Sequence, residues 1–394
     1  MTENTPVYCF TIPSVSDGTL LDCRIYHPVS LQDAQSTQQR TKKAALIAHP
    51  YAPLGGSMDD AVVTTIVDQL LDLDFVVGCF NFRGAANSEG STSWSGKAER
   101  DDYISVAGHL IFYMNQLRTS QVVTKDTESS AGYVQNISAE PITLVLGGYS
   151  YGSLIVTHLP PMPEILAIFH KPSKWVSEIL LRAKELALQT NTSLSENRGR
   201  MSDHPPARRQ HKRQSSSQHS IIYGGNDEPS PADRHIDPLH KAVEIQTRIR
   251  HAMYRNHRSA SSITSAPPSE QSADTIEPIT ALPRVSTHHL LISPLLPPLS
   301  NFLSLSTTIL SFWRHHTEHQ PKNLLHNLTL VIFGTKDIFT SSTKLEAWCK
   351  KMDALASQNK VNFRWRRVEG ASHFWREAGV EAELRSSVRE WVEE

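Results

Sequence analysis

The sequence predicts an α/β protein with a mostly parallel, eight-stranded sheet and helices on both faces of the sheet. Short apolar runs rich in β-branched residues, such as residues 142–148 and 328–334, have the length and composition of buried parallel strands. Stretches in which apolar residues recur with a helical period separate most of these runs. This alternation is typical of a parallel sheet whose connections are helices.

The individual elements can be predicted in chain order. Residues 7–29 indicate two short strands joined by a Ser-Asp-Gly turn at residues 16–18. Six further strands are predicted at residues 44–49, 75–81, 142–148, 289–294, 328–334 and 361–368. Helices are predicted at residues 57–72, with Ser57 as the N-cap, and at residues 97–117 and 377–392.

Two polar insertions interrupt this pattern. Residues 118–140 predict a surface loop, and a much longer insertion spans residues 159–286. We therefore assign residues 1–158 and 287–394 to one domain that is split by the long insertion.

The long insertion contains two helical stretches, at residues 173–189 and 235–255. The segments at residues 196–220 and 256–275 are rich in Ser, Gln, Asn, Arg and Pro. Because they bury too little apolar surface to offset the entropy of ordering, we predict that they are disordered. The two helices either fold over the mouth of the pocket as a partial lid or pack beside the sheet.

Charge and cysteine usage exclude several classes of function. The formal net charge is -1 and the isoelectric point is about 7.0, so no overall field favours nucleic acid or an anionic membrane. The four cysteines are widely spaced in apolar or helical contexts, which predicts free, buried thiols in a reducing compartment. No secretory signal is visible at the amino terminus, so we expect a cytoplasmic protein.

One apolar stretch imitates a membrane span. Residues 285–313 contain no Asp, Glu, Lys or Arg. Prolines at positions 294, 297 and 298 interrupt the stretch, so it lacks the unbroken apolar run that a span requires. We predict a buried strand and its exit loop, followed by a helix at residues 299–313, and no stable membrane span.

The strand at residues 142–148 leads into the motif Gly148-Tyr149-Ser150-Tyr151-Gly152. A serine at the apex of a sharp strand-to-helix turn needs residues without bulk two positions before and after it, and both positions are glycine. Such a turn presents the serine hydroxyl at the carboxyl end of the strand and at the amino end of a helix. The motif predicts that Ser150 is a nucleophile.

A serine hydroxyl needs a general base and a group that orients the base. In this architecture the acid and then the histidine follow the serine along the chain. Asp337 follows the predicted strand at 328–334, and His373 follows the strand at 361–368. We predict a catalytic triad of Ser150, Asp337 and His373.

In these motifs the chain resembles the α/β-hydrolase superfamily, and more narrowly the dienelactone-hydrolase-like and prolyl-oligopeptidase-like serine hydrolases. Residues 44–63 match the early strand, His-Pro and Gly-rich turn of these families, and residues 75–91 match the strand that ends in Asn-Phe-Arg-Gly. The resemblance covers residues 7–158 and 287–394. Dienelactone hydrolases themselves typically carry a cysteine nucleophile, whereas position 150 here is serine.

A hydrolase of this kind stabilises the negative charge of the transition state with two backbone N–H groups. One belongs to the residue after the nucleophile, Tyr151, and the other to the loop after the third strand. Tyr51 is the candidate in that loop, because the flanking prolines have no N–H. We expect His49 and Arg83 to brace loops.

The sequence thus predicts a serine hydrolase that forms an acyl-enzyme on a small-molecule or lipid ester or thioester, with no cofactor and no metal site. The alternative within enzymes is a peptidase of the prolyl-oligopeptidase or Xaa-Pro dipeptidyl-peptidase type, with Glu178 and Glu185 as a candidate acidic pair. A third hypothesis is a non-catalytic binding or scaffold protein. Nothing in the sequence fixes the oligomeric state.

Overall fold

The computed structural model describes residues 4–32, 41–93, 95–118, 140–170, 173–202, 282–296 and 322–394. These ranges form one eight-stranded sheet, with strands β1 Tyr8–Pro13, β2 Leu20–Tyr26, β3 Lys42–Ala48, β4 Val76–Phe80, β5 Ile142–Tyr149, β6 Val285–Ile292, β7 Leu328–Lys336 and β8 Phe363–Ser372. The strands lie in the order β1-β2-β4-β3-β5-β6-β7-β8. β2 is antiparallel to both of its neighbours, and all pairs among β3 to β8 are parallel.

Helices cover both faces of this sheet. The described helices are α1 Val29–Gln32, α2 Ala61–Asp72, α3 Lys97–Gln116, α4 Tyr151–Thr157, α5 Met162–His170, α6 Lys174–Ser202, α7 Ser342–Gln358 and α8 Val380–Glu393. α2 and α8 contribute to one buried cluster, which includes Ile47 of β3, whereas α3, α6 and α7 contribute to a second cluster, which includes Leu46. Successive residues of a strand point to opposite faces, so the two clusters lie on the two sides of the sheet.

Three features together define the fold class. They are the antiparallel entry at β1 and β2, the parallel order β4-β3-β5-β6-β7-β8 and the serine at the turn between β5 and α4. This combination is the α/β-hydrolase fold, which confirms the fold class predicted from the sequence.

The start of α2 differs from the prediction. Ser57 is not the N-cap; the Asp60 carboxylate accepts a hydrogen bond from the Val62 N–H at 2.8 Å, and the helix begins at Ala61. The reason is a tertiary contact, because the Met58 N–H donates to the Asn81 side-chain oxygen at 2.9 Å. That bond holds residues 57–59 outside the helix.

Other element boundaries also shift, most of all in β6, α8 and β8; β6 begins at Val285 rather than at residue 289. β6 ends at Ile292 because Ser293 adopts a left-handed conformation with φ of 44°. α8 begins at Val380, after Gly379 with φ of 84°, rather than at residue 377. β8 continues to Ser372, four residues beyond its predicted end, and so reaches the position just before His373.

The cysteine prediction holds in part. All four cysteines are free, and Cys23, Cys79 and Cys349 are buried. Cys9 is exposed, which corrects the expectation of four buried thiols. Its strand, β1, lies at the edge of the sheet, where one face of the strand is open to solvent.

The long insertion is described at residues 159–170, 173–202 and 282–286. The first predicted helix is α6, which extends to Ser202 and packs against α3 and β1. Residues 196–202, predicted to be disordered, belong to α6, because no proline interrupts the helix before Pro205; α5, Met162–His170, also lies in the insertion. The predicted helices at 235–255 and 299–313, most of the polar loop at 118–140, and residues 203–220 and 256–275 lie outside the described residues. Within the described ranges no single helix is long and apolar enough to cross a membrane, although the bent pair α4 and α5 meets that criterion jointly.

Candidate active site

The turn between β5 and α4 places Ser150 at a strained apex. Ser150 has φ of 55° and ψ of -110°, a conformation that costs a non-glycine residue free energy. A Cβ atom on Gly148 would lie 2.3 Å from the backbone of Gly152, and a Cβ atom on Gly152 would lie 2.5 Å from the Ala48 carbonyl oxygen. Both glycines are therefore required for close packing, as predicted from the motif.

Neighbouring β6 anchors this turn. The Ser150 N–H donates to the Ile292 carbonyl at 2.8 Å. The Ser153 hydroxyl accepts a hydrogen bond from the Ile292 N–H at 2.9 Å and donates to the Gly148 carbonyl. Ser153, which the sequence does not distinguish from any other helical serine, thus ties the first turn of α4 to both β5 and β6.

The structure brings the three predicted triad residues together. The His373 Nε2 atom lies 2.8 Å from the Ser150 Oγ atom, and the His373 Nδ1 atom lies 2.7 Å from the Asp337 Oδ2 atom. All three side chains are buried. An ionised carboxylate only accepts hydrogen bonds, so Nδ1 carries the proton of the neutral imidazole and Nε2 is free to accept the serine proton.

Backbone groups hold Asp337 in place. Its Oδ1 atom accepts hydrogen bonds from the N–H groups of Phe339, at 2.8 Å, and Thr340, at 3.1 Å. One carboxylate oxygen is thus committed to the turn after β7, and the other faces the histidine. This arrangement fixes the orientation of the carboxylate and, through it, of the His373 ring.

Aromatic side chains surround the histidine. The Tyr149 hydroxyl donates to the His373 carbonyl at 2.7 Å, and the Phe339 ring meets the imidazole edge-on with centroids 4.4 Å apart. The Phe374 ring lies 5.8 Å from the imidazole and is 45% exposed. Ile338, which follows Asp337 after β7, and Leu54, in the loop after β3, are also about half exposed, at 55% and 51%. We call Leu54, Ile338 and Phe374 the apolar rim.

The loop after β3 lies against the nucleophile turn. His49 and Tyr51 are buried, and the Tyr51 ring packs on the Tyr151 ring with centroids 5.1 Å apart. Tyr151 is the first residue of α4, where a backbone N–H has no partner within the helix. The two predicted oxyanion donors therefore belong to adjacent segments that border Ser150.

His49 braces this loop, as expected. Its Nε2 atom accepts a hydrogen bond from the Phe82 N–H at 2.9 Å, and its Nδ1 atom donates to the Pro50 carbonyl at 2.5 Å. Burial lowers the pKa of His49 to about 4, so the ring is neutral at physiological pH.

Arg83 also braces a loop, which is the role predicted for it. Its guanidinium bonds to the Asp102 carboxylate of α3, with contacts of 2.6 and 2.9 Å, and to Asp17 at 2.8 Å. Partial burial raises the pKa of Asp17, but hydrogen bonds from Arg83 and Thr19 outweigh that effect and lower the pKa to about 2. Arg83 thus joins the turn between β1 and β2 to the loop after β4.

The described residues contain no group of three or more His, Cys, Asp or Glu side chains arranged to hold a metal ion. What the described arrangement offers chemically is a buried serine with a base, an orienting acid and backbone N–H groups nearby.

No protein-family model and no curated protein matches the chain. Solved structures similar to it include an α/β serine hydrolase homologue from Coxiella burnetii, at 14% identity and a TM-score of 0.42, covering 98% of each chain. Another is XC6422 from Xanthomonas campestris, described as an α/β serine hydrolase without lid, at 14% identity and a TM-score of 0.42, covering 99% of this chain and 94% of that one. A third is the Pyrococcus furiosus esterase Pf2001, at 12% identity and a TM-score of 0.41, covering 98% and 91%. With such low TM-scores, the fold assignment depends on the strand order and the nucleophile turn.

Proposed function

We propose that this chain is a serine hydrolase that cleaves a carboxylic ester or thioester of a small molecule or lipid through an acyl-enzyme. The observation that carries the proposal is the continuous line of hydrogen bonds from Asp337 through His373 to Ser150, at 2.7 and 2.8 Å, with the serine on a strained turn. The 2.8 Å contact lies within hydrogen-bonding reach for a base and its nucleophile, and the 2.7 Å contact for the base and its orienting acid.

In the first half of the reaction, His373 Nε2 takes the proton from the Ser150 hydroxyl as Oγ attacks the carbonyl carbon of the ester. The N–H groups of Tyr151 and Tyr51 hold the negative oxygen of the tetrahedral intermediate. When the intermediate collapses, the carbon–oxygen or carbon–sulfur bond to the leaving group breaks. The imidazolium donates its proton to that leaving group, and the acyl group stays on Ser150.

In the second half, His373 takes a proton from water, which attacks the acyl carbon. Collapse of the second intermediate releases the carboxylic acid and returns the proton to Ser150 Oγ. Asp337 keeps the proton on Nδ1 in the neutral ring and stabilises the imidazolium when it forms, so Nε2 faces the serine throughout.

The surroundings of the site support an apolar substrate. The apolar rim exposes Leu54, Ile338 and Phe374 on the loops after β3, β7 and β8, at the carboxyl ends of the parallel strands, while the triad side chains are buried. An acyl chain that packs on such side chains gains binding free energy from apolar surface removed from water, about 25 cal/mol per Å².

The free cysteines support the cytoplasm as the proposed location.

The peptidase alternative receives less support. Glu178 is exposed and Glu185 pairs with Arg182 on the same helix, at 3.1 Å. The two glutamates lie seven residues apart on α6, or about 10 Å along the helix axis, so they do not converge on one amine.

A non-catalytic scaffold has no need for an assembled triad, and a Ser150→Ala variant that kept every cellular role would favour that hypothesis.

The test is hydrolysis of a series of p-nitrophenyl esters of increasing acyl length, with an acyl thioester and an Xaa-Pro p-nitroanilide beside them. Wild type should cleave the esters and the thioester but not the anilide. Ser150→Ala and His373→Ala should abolish turnover, whereas the exposed controls Ser193→Ala and His170→Ala should retain it. Turnover that survives in folded Ser150→Ala would refute the proposal, and preference for the anilide would favour the peptidase.

A further inference from the structure

We propose that His49 is a positioning residue of the oxyanion hole: it fixes the Pro50 carbonyl and thereby the direction of the Tyr51 N–H. The proposal rests on the proposed function and extends it to a side chain that contacts no reacting group.

The two hydrogen bonds of His49 require one tautomer. The Phe82 N–H only donates, so the Nε2 atom at 2.9 Å must be unprotonated. The Pro50 carbonyl only accepts, so the Nδ1 atom at 2.5 Å must carry the proton. The neutral Nδ1–H form satisfies both contacts, whereas a second proton on Nε2 would face another donor. The buried ring is therefore a fixed link between two backbone groups.

That link determines where the Tyr51 N–H points. The Pro50 carbonyl and the Tyr51 N–H belong to the same peptide unit, and in a planar trans peptide they point in opposite directions. Holding the carbonyl oxygen against the His49 ring directs the N–H away from that ring. The other side of the loop is also fixed, because the N–H groups of Leu54 and Gly56 donate to the Tyr51 carbonyl at 3.1 and 3.2 Å.

The loop is tightly packed around this peptide. A Cβ atom on Gly56 would lie 2.3 Å from the Pro50 carbonyl oxygen, so the chain closes over that oxygen. A Cβ atom on Gly152 would lie 2.5 Å from the Ala48 carbonyl oxygen and 2.9 Å from that of His49. Rotation of the Pro50–Tyr51 peptide would therefore change the loop right beside the first turn of α4.

The donor to His49 is itself held in place. Phe82 precedes Arg83, whose backbone N–H donates to the Asp102 Oδ2 atom at 3.2 Å. The Arg83 guanidinium donates two further hydrogen bonds to the same carboxylate. The Phe82 ring packs on the Tyr151 ring, with centroids 6.0 Å apart. His49 thus connects a rigid loop after β4 to the loop that carries the Tyr51 N–H.

Two substitutions separate this role from general bracing of the loop. In His49→Asn the side-chain amide lies near the Nδ1 position and can donate to Pro50; in His49→Gln it lies near Nε2 and can accept from Phe82. If orientation of the Pro50 carbonyl matters, His49→Asn should retain kcat to within about tenfold of wild type. His49→Gln should lower kcat by about 10²- to 10³-fold, the effect of one lost oxyanion donor, with KM nearly unchanged.

The experiment measures kcat and KM on p-nitrophenyl butyrate for wild type, Ser150→Ala and both His49 variants, with thermal unfolding of each. With an active wild type, two outcomes would overturn the proposal. One is a folded His49→Gln variant with the kcat of wild type. The other is a folded His49→Asn variant that loses as much kcat as His49→Gln. Wild type without any Ser150-dependent turnover would overturn the proposed function and this inference together. If His49→Gln does not fold, His49→Asn still decides, because a loss well beyond tenfold contradicts the role.

Discussion

One substitution in the loop after β3 removes a backbone N–H at a residue whose φ a proline can adopt. Tyr51 has φ of -61°, which lies at the value that the proline ring imposes, about -65°. Tyr51→Pro therefore deletes the proposed oxyanion donor without a change in φ. The matched control is Tyr51→Ala, which keeps the N–H and loses the same ring contact with Tyr151.

The size of the effect follows from the role of the donor. Loss of one of two preorganised donors costs about 2.7–4 kcal/mol of transition-state stabilisation, or about 10²- to 10³-fold in kcat. Tyr51→Ala loses packing against Tyr151, which alters the pocket but leaves both N–H groups. We expect Tyr51→Pro to have kcat about 10²-fold or more below that of Tyr51→Ala, with KM values within a few fold.

The assay is steady-state hydrolysis of p-nitrophenyl butyrate by both variants, with circular dichroism and thermal unfolding to compare their folds. A folded Tyr51→Pro variant whose kcat lies within about threefold of that of Tyr51→Ala would refute the assignment of the Tyr51 N–H as a donor. The second donor would then have to come from another group near the nucleophile turn.

Two further predictions concern the orienting acid, Asp337, and one buried histidine, His109. In Asp337→Asn the N–H groups of Phe339 and Thr340 keep the amide oxygen at the Oδ1 position, so the NH₂ group faces His373. The His373 ring must then carry its proton on Nε2 instead of Nδ1 and cannot accept the serine proton. We expect kcat to fall about 10⁴-fold with the fold intact, and a loss below about tenfold would contradict this. Burial lowers the pKa of His109 from 6.5 to about 3. Between these two pH values the unfolded chain binds a proton at this histidine that the folded chain excludes. The free energy of unfolding should therefore fall by about 1.4 kcal/mol for each pH unit below 6.5. The free energy of unfolding, measured with urea near pH 7 and near pH 5, should change less for His109→Phe than for wild type or the exposed control His170→Asn. An equal change in all three proteins would refute the lowered pKa of His109.

The triad could be predicted from the sequence because its geometry follows from strand ends. Ser150, Asp337 and His373 each follow the last residue of a parallel strand, β5, β7 and β8. The carboxyl ends of parallel strands meet at one edge of the sheet, so three such residues converge even when they are far apart in the chain. The glycines of the turn were predictable for a similar local reason, because they are the residues that allow the close approach seen at Ser150.

Contacts that depend on tertiary packing could not be predicted in this way. Ser57 and Asp60 are both good N-cap residue types, and the choice between them follows from the bond between the Met58 N–H and Asn81. Ser153 resembles any serine in a helix until β6 lies beside it. The apolar rim is likewise assembled from three separate loops, and sequence periodicity carries no information about such an arrangement.

The most direct test of the central claim is covalent labelling of Ser150. The purified protein should react with a fluorophosphonate probe, and peptide mass spectrometry should place the adduct on Ser150. Ser150→Ala and His373→Ala should remain unlabelled, whereas the control Ser193→Ala should label like wild type. An adduct on another residue, or a folded wild type that takes up no probe, would contradict the claim that His373 and Asp337 activate Ser150.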